Sequence, residues 1–392
     1  MSKFCVALFN AIRKDQDFRI RPCCVFRSKK SIYQIDDYLK SDYMADARKR
    51  MIDGQSIPEC GVCWQKEKAG LTSLRHIYNQ QFLHNKNIPD NIAKKAKTKI
   101  IQADIKIGNR CNYACAMCHP GDSSLIFNKY KANLDNKFVQ EYSKKNSNFM
   151  DAKLNTNYRN TSLQMLDNVL STTSVRSIKI LGGEPLLEQE FLKRLASVPD
   201  AHKQKITLWV VTNGSIDLVN TLSKLGKYKA IVVTVSLEGT GKLQEYVRKR
   251  SSWQQIESNI CKFLEFNNPR WFLGVHHTMQ ALSLHGLVDL ITWCDGLGIK
   301  ITYQNLTNPD YLSLAITSPE YRRQQMDNVN VQGTNNFQGE DLNLSGDLAS
   351  YCLQQDYKPE LVGKFLKYCK FYESDHNLKL LEVAPELLDS FN

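Results

Sequence analysis

Three cysteines fall within eight residues in Cys111-Asn-Tyr-Ala-Cys115-Ala-Met-Cys118, spaced C-x3-C-x2-C. Thiolates gathered on one short loop are soft ligands for a metal. A closed structural site takes four protein ligands. Three therefore leave either a distant fourth residue or one open metal position, and an open position is where an outside ligand reacts. A zinc knuckle and three buried free thiols are the plainer readings of the same residues.

Polar turns with glycine follow three later Ile/Val-rich runs: Leu181-Gly182-Gly183-Glu184-Pro185-Leu186, Thr212-Asn213-Gly214 and Ser236-Leu237-Glu238-Gly239. Two glycines at a strand end let a ligand approach the backbone closely. Glu184 beside them can hold an ammonium group, and Pro185 stops the strand. Alone, each turn is ordinary. Together, above a three-thiol loop, they form a constellation of the kind that α/β architectures place at the carboxyl ends of their strands.

A second set of thiols lies in the first 80 residues: Phe4-Cys5, Arg21-Pro22-Cys23-Cys24 and Cys60-Gly-Val-Cys63. Two intervening residues let both sulfurs of Cys60 and Cys63 face one metal. With Cys5 and one of Cys23 or Cys24 the ligand count reaches four, a complete site. A structural zinc and a redox pair are the alternatives, but no thioredoxin-like βαβ pattern surrounds Cys60 and Cys63. Cys261, Cys294, Cys352 and Cys369 stand alone and read as core or surface thiols.

The elements that must position these groups follow from hydrophobic periodicity. Short Ile/Val-rich strands are expected at Ile101–Gly108, Val175–Leu181, Ile206–Thr212, Ala230–Leu237, Trp271–Gln280 and Ile299–Gln304. Helices are expected near Leu163–Thr172, Glu188–Ala196, Val219–Leu225, Trp253–Phe266 and Leu287–Leu297. Strand then helix, repeated, reads as a parallel α/β sheet or partial barrel. In the head, helices are expected at Tyr38–Gly54 and Lys66–Tyr78, followed by a basic linker from Leu83 to Lys99. The polar insert from Gly121 to Ser162 should add a helix and an irregular loop. Beyond the barrel, Gln332–Gly346 reads as a loop, and Glu360–Glu373 and Asn377–Leu388 as helices of a tail. The expected division is a head and linker at 1–100, a core at 101–310 and a helical extension at 311–392.

Composition bounds the rest. A chain of 392 residues with 42% hydrophobic residues can build one large α/β domain with appendages, and 23% charged residues is ordinary for a folded protein. The start, Met-Ser-Lys-Phe-Cys-Val-Ala-Leu-Phe-Asn, lacks the apolar run of a signal peptide, and no stretch approaches a membrane span. A cytoplasmic protein in a reducing compartment is expected, which argues against disulfides. The net charge of +12 permits nucleic-acid partners. Lys and Arg are nevertheless scattered among acids along the whole chain, so a nucleic-acid role is not favoured.

C-x3-C-x2-C after the first strand and Gly-Gly-Glu-Pro after the second resemble the radical S-adenosylmethionine superfamily. The resemblance implies a partial (βα)6 TIM-like barrel over roughly residues 101–305. It also implies a 4Fe–4S cluster on Cys111, Cys115 and Cys118, whose fourth iron is chelated by S-adenosylmethionine. By the same likeness Met117 packs near adenine, and Gly182, Gly183 and Glu184 bind the methionine ammonium. Asn213, Ser236 and Arg248 match positions near the ribose and carboxylate. The implied activity is reductive cleavage to a 5′-deoxyadenosyl radical and hydrogen abstraction from a substrate, favoured to be a peptide or small metabolite. A nucleotide- or RNA-modifying radical enzyme is the alternative, with a zinc-stabilised nucleic-acid-binding protein behind it. A flavodoxin or ferredoxin is the implied electron donor. The head, with Glu67, Gly70, Ser73 and Arg75 after its cysteines, resembles the twitch and SPASM auxiliary modules. That likeness implies a second iron–sulfur cluster on Cys5, Cys23, Cys60 and Cys63, with Cys24 the rival of Cys23.

Overall fold

The structure, a computed structural model, describes residues 3–15, 17–68, 70, 72–84, 95–146, 152–331 and 352–391. Its centre is an eight-stranded sheet. The strands of the chain are β1 (Ala11–Lys14), β2 (Ile20–Arg21), β3 (Gln102–Lys106), β4 (Ala114–Cys115), β5 (Ser177–Leu181), β6 (Thr207–Thr212), β7 (Ala230–Ser236), β8 (Arg248–Lys249), β9 (Trp271–Met279) and β10 (Lys300–Asn305). The sheet order is β10-β9-β7-β6-β5-β3-β1-β2, and β4 pairs with β8 in a separate two-stranded ribbon. Every neighbour from β10 to β1 is parallel, and only β2 runs antiparallel.

The six strands expected from sequence are β3, β5, β6, β7, β9 and β10. Their alternation has a simple cause. Ile178, Ile180, Leu208, Val210, Ile231, Val233 and Val235 are sealed beneath helices. Their neighbours Lys179, Trp209, Val211, Val232 and Thr234 face the other side and are only half-buried. One face is thus a sealed core and the other is less covered, a period of two residues imposed by the pleat.

The head does not stand apart from this sheet. β1 pairs with β3 in parallel register, Arg13 beside Asp104 and Lys14 beside Ile105. Lys99 N donates to Phe9 O and Ile101 N to Asn10 O, so the chain leading into β3 is laced to the head. One hydrophobic cluster runs from Phe4 and Leu8 through the barrel to Leu387. Neither β1 nor β2 was expected from sequence: the first is four residues long and half charged, and the second has two residues.

Two expected head helices are each divided. Ser41 leaves the helical region and its side chain accepts from Met44 N, capping Asp42–Ile52 and ending Ile35–Lys40 before it. Gly61–Lys68 and Leu74–Leu83 are separated near Gly70, whose φ of 76° suits glycine. Among the described residues the insert carries Ser124–Lys131 and Lys137–Lys145, and Ala152–Ser171 runs from it into the helix expected at Leu163–Thr172. The tail adds Pro319–Val331, Val362–Tyr372 and two short helices to residue 389. The expected loop at Gln332–Gly346 lies outside the described residues.

Insert and tail interlock through aromatic rings. Phe138 lies 5.7 Å from Tyr311 and 5.4 Å from Tyr368, and Tyr130 meets Phe371 edge-on at 5.3 Å. Such pairs add to plain area burial. Among the described residues, no helix is long and apolar enough to cross a membrane.

Candidate metal centre

The cysteine loop leaves the carboxyl end of β3 and is held on three sides. Ile107 N donates to Leu181 O, keeping the loop beside β5. Ala114 and Cys115 pair antiparallel with Lys249 and Arg248. Ala116 N donates to Val247 O at 2.8 Å, and Cys118 N to Cys115 O at 3.1 Å. Cys115 is buried, while Cys111, Met117 and Cys118 are half-buried against the core.

The three thiols feel one another. Burial pushes the Cys111 thiol up to about 12, with Cys115 adding to it. Cys118, hydrogen-bonded to Cys115, is raised well above the ordinary thiol range, and the same bond lowers Cys115. Neighbouring thiolates in a dry site repel, and a bound cation removes that penalty. The loop thus offers three soft donors of the kind a metal centre uses.

The glycines after β5 serve the loop itself. Gly182 has φ 148°, and a Cβ there would lie 2.8 Å from Gly108 O. A Cβ on Gly183 would overlap the Arg110 carbonyl. Gly183 N and Glu184 N donate to Gly108 O and Arg110 O, both at 2.8 Å. The sequence suggested ligand approach as the reason for these glycines; in the structure the backbone approaching them is that of the cysteine loop.

Glu184 is fully buried. Its carboxylate accepts from Leu186 N at 3.1 Å, Thr212 Oγ1 at 2.8 Å and Asn213 N at 2.7 Å. Burial raises its pKa to about 7, against these donors. The side chain thus ties the end of β5 to the end of β6. There Asn213 Nδ2 donates to Asn112 Oδ1 at 2.9 Å and approaches Cys111 Sγ at 3.9 Å.

Arg248 reaches the centre from the opposite side. Its Nη1 donates to Cys115 Sγ at 3.7 Å and its Nη2 to Glu238 Oε1 at 2.6 Å. Glu238 Oε2 in turn accepts from Thr278 N at 3.0 Å. Ser236, at the end of β7, lies in register with His276. Beside Cys118, Asp122 bonds Lys106 at 2.7 Å and His119 at 3.1 Å. Burial opposes ionisation there, but Lys106 first, with the His119 ring beside it, holds the Asp122 carboxyl well below the usual range.

Among the predicted residues, Asn213 and Arg248 therefore touch cysteine sulfur. Glu184 acts on strand ends. Thr212, Asn112, Asp122 and Glu238 carry no role in the sequence reading. Glu238 lay in a glycine-bearing strand-end turn, a signal that could have marked it; Asn112 and Asp122 had only their closeness in sequence to the cysteines.

In the head, Cys5, Cys23, Cys60 and Cys63 line one small cavity with Trp64, Arg75 and Tyr78. Cys23 is buried and Cys24 exposed. Burial raises all four lining thiols, Cys5 to about 12. Glu67, Ser73 and Arg75 join beside them: Arg75 bonds both Glu67 oxygens at 2.8 Å, Ser73 Oγ donates to Glu67, and Arg75 Nη1 donates to Phe4 O at 3.0 Å. This fastens the segment before Cys5 to that after Cys63. Among the described residues, no three His, Cys, Asp or Glu side chains stand in the arrangement of a single-ion site.

Residues 105–293 match the family model described as the Radical SAM superfamily. No curated protein matches the chain significantly. Among solved structures, one described as native anSMEcpe with bound AdoMet shares 14% identity over 59% of this chain and 60% of that one, at a TM-score of 0.38. Streptococcus suis SuiB shares 16% over 75% of this chain and 60% of that one, also at 0.38. The chain thus spans about three fifths of the length of these structures.

Proposed function

We propose, from the premise that residues 105–293 make this a protein with a Radical SAM superfamily domain, that it reductively cleaves S-adenosylmethionine and abstracts hydrogen from an organic substrate. The observation carrying this reading is the convergence of Asn213 and Arg248, from separate strand ends, on the sulfurs of a loop bearing three thiols. Cys111, Cys115 and Cys118 would hold a 4Fe–4S cluster, leaving one iron for S-adenosylmethionine. When bound, that pair supplies a 5′-deoxyadenosyl radical, and the hard chemistry is the cofactor's.

The chain's own residues bind, orient and exclude water. Arg248 offers positive charge beside Cys115, while Glu238 holds its guanidinium in place. Glu184 fixes the turn containing Asn213. Met117, Gly182, Gly183, Glu184, Asn213, Ser236 and Arg248 are the residues proposed to surround S-adenosylmethionine. In the head, Cys5, Cys23, Cys60 and Cys63 would hold an auxiliary iron–sulfur cluster; their common cavity supports this. The substrate proposed is a peptide or small metabolite, since the excess of Lys and Arg is dispersed. The setting proposed is reducing and cytoplasmic, with a flavodoxin or ferredoxin as electron donor.

The test is anaerobic reconstitution with iron and sulfide, then reduction in the presence of S-adenosylmethionine. The wild-type protein should form 5′-deoxyadenosine and methionine, and the Cys111/Cys115/Cys118 triple alanine variant should form neither. Cleavage retained in that variant, or absent from an iron-loaded wild type, overturns the proposal.

A further inference from the structure

The C-terminal helix Val362–Tyr372 places two tyrosine hydroxyls on the cysteine loop. Tyr368 Oη donates to Ala116 O at 2.6 Å, across 252 residues of chain. Tyr372 Oη lies 3.1 Å from Ala114 O, 2.9 Å from Tyr246 O and 3.1 Å from Val247 O, and it accepts from Lys249 N at 3.3 Å. Ala114 and Ala116 are the residues on either side of Cys115. Lys249 belongs to the strand that pairs with them, and Tyr246 and Val247 end the helix Gly241–Val247 that leads into it. One phenol thus stands between both members of the β4–β8 ribbon, and a second closes its outer end.

The end of the helix is itself fastened to the core. Lys129 Nζ donates to Phe371 O at 2.8 Å and Tyr372 O at 3.1 Å, taking up carbonyls that a helix end leaves unpaired. Asp375 forms ion pairs with both Lys129 and Lys249. Tyr246 Oη donates to Glu373 at 2.9 Å. Packing alone does not require the hydroxyls. Tyr368 and Tyr372 stack ring on ring at 5.6 Å, and phenylalanine would fill the same space. What tyrosine adds is a polar hand on carbonyls in a ribbon with only two residues per strand, too short to hold its own register.

We infer that Tyr368 and Tyr372 are positioning residues for the metal centre: the tail clamps the ribbon that carries Cys115 and so sets the place of its sulfur and the dipoles around it. This rests on the proposal that Cys111, Cys115 and Cys118 hold a cluster. Hydrogen bonds to and around the sulfurs are among the groups that tune such a centre's potential.

The test uses the full-length chain with Tyr368→Phe, Tyr372→Phe, both together, and Tyr311→Phe as a control within the same aromatic group. In the metal-free protein, amide exchange at Cys115 and Ala116 should quicken about tenfold in the double variant, the loss of roughly one to two net hydrogen bonds. Exchange in β6 and β7 should not change. After reconstitution, the double variant should keep its iron but shift the reduction potential and the electron paramagnetic resonance spectrum of the Cys111 cluster, while Tyr311→Phe shifts neither. Unchanged exchange in a folded double variant overturns the clamp, and so does faster exchange with potential and spectrum both unmoved. If the wild type binds no iron, the proposed function fails, and the exchange measurement still decides whether the tail holds the ribbon.

Discussion

Arg248 and Glu238 form a 2.6 Å ion pair whose carboxylate is fully buried, and the same guanidinium lies 3.7 Å from the Cys115 sulfur. Removing one partner of a buried pair leaves an uncompensated charge and costs about 3 kcal/mol or more. The metal-free Glu238→Gln protein should show that loss in urea unfolding. Adding Arg248→Met should recover part of it, since the orphaned charge then disappears. Equal stability of wild type and Glu238→Gln would show that the pair is neutral in effect.

Gly183 has no room for a methyl group because the Arg110 backbone fills its side. The Gly183→Ala protein should be destabilised by about 1–3 kcal/mol, the usual scale of overpacking. It should also lose iron from the Cys111 loop, since that loop must move away. A stable, fully loaded variant that has lost only affinity for S-adenosylmethionine, measured by calorimetry, would show that the ligand, and not the loop, needs the glycine.

The head should keep metal when the barrel cannot. A Cys111/Cys115/Cys118 triple alanine protein reconstituted anaerobically should retain about four irons per chain, one cubane's worth. Cys24→Ser in that background should change nothing, because Cys24 is exposed, whereas Cys23→Ser should remove the iron. One zinc and no iron in the triple variant would make the head a structural zinc site.

Histidine titration should appear in the acid stability of the metal-free protein. His277 is fully buried beside the Leu237 carbonyl, 3.1 Å from Nδ1. Burial lowers its pKa from 6.5 to about 4. The unfolded chain therefore takes up the proton first, and stability falls as pH drops through that interval, by about 3 kcal/mol for this group. Urea unfolding between about pH 7 and pH 4 should show a correspondingly smaller fall in His277→Gln, whose side chain does not titrate. Parallel curves for the two proteins would contradict a buried neutral imidazole.

What the sequence determined by itself was local and periodic. Alternating Ile and Val marked the six barrel strands to within a few residues, because burial beneath helices is demanded of every second side chain along a strand. Cysteine spacing marked the loop, and glycine marked the strand ends, because both report chemistry or crowding at short range. Tertiary structure decided what depends on distant partners. β1 joins the sheet only because β3 offers it an edge. That Cys23 is buried and Cys24 exposed was set by how the head folds. Glu238 became a holder of Arg248, and Tyr368 and Tyr372 found the carbonyls around Cys115 from more than 250 residues away. A hydroxyl's partner leaves no period in the chain, so only the folded arrangement could assign it.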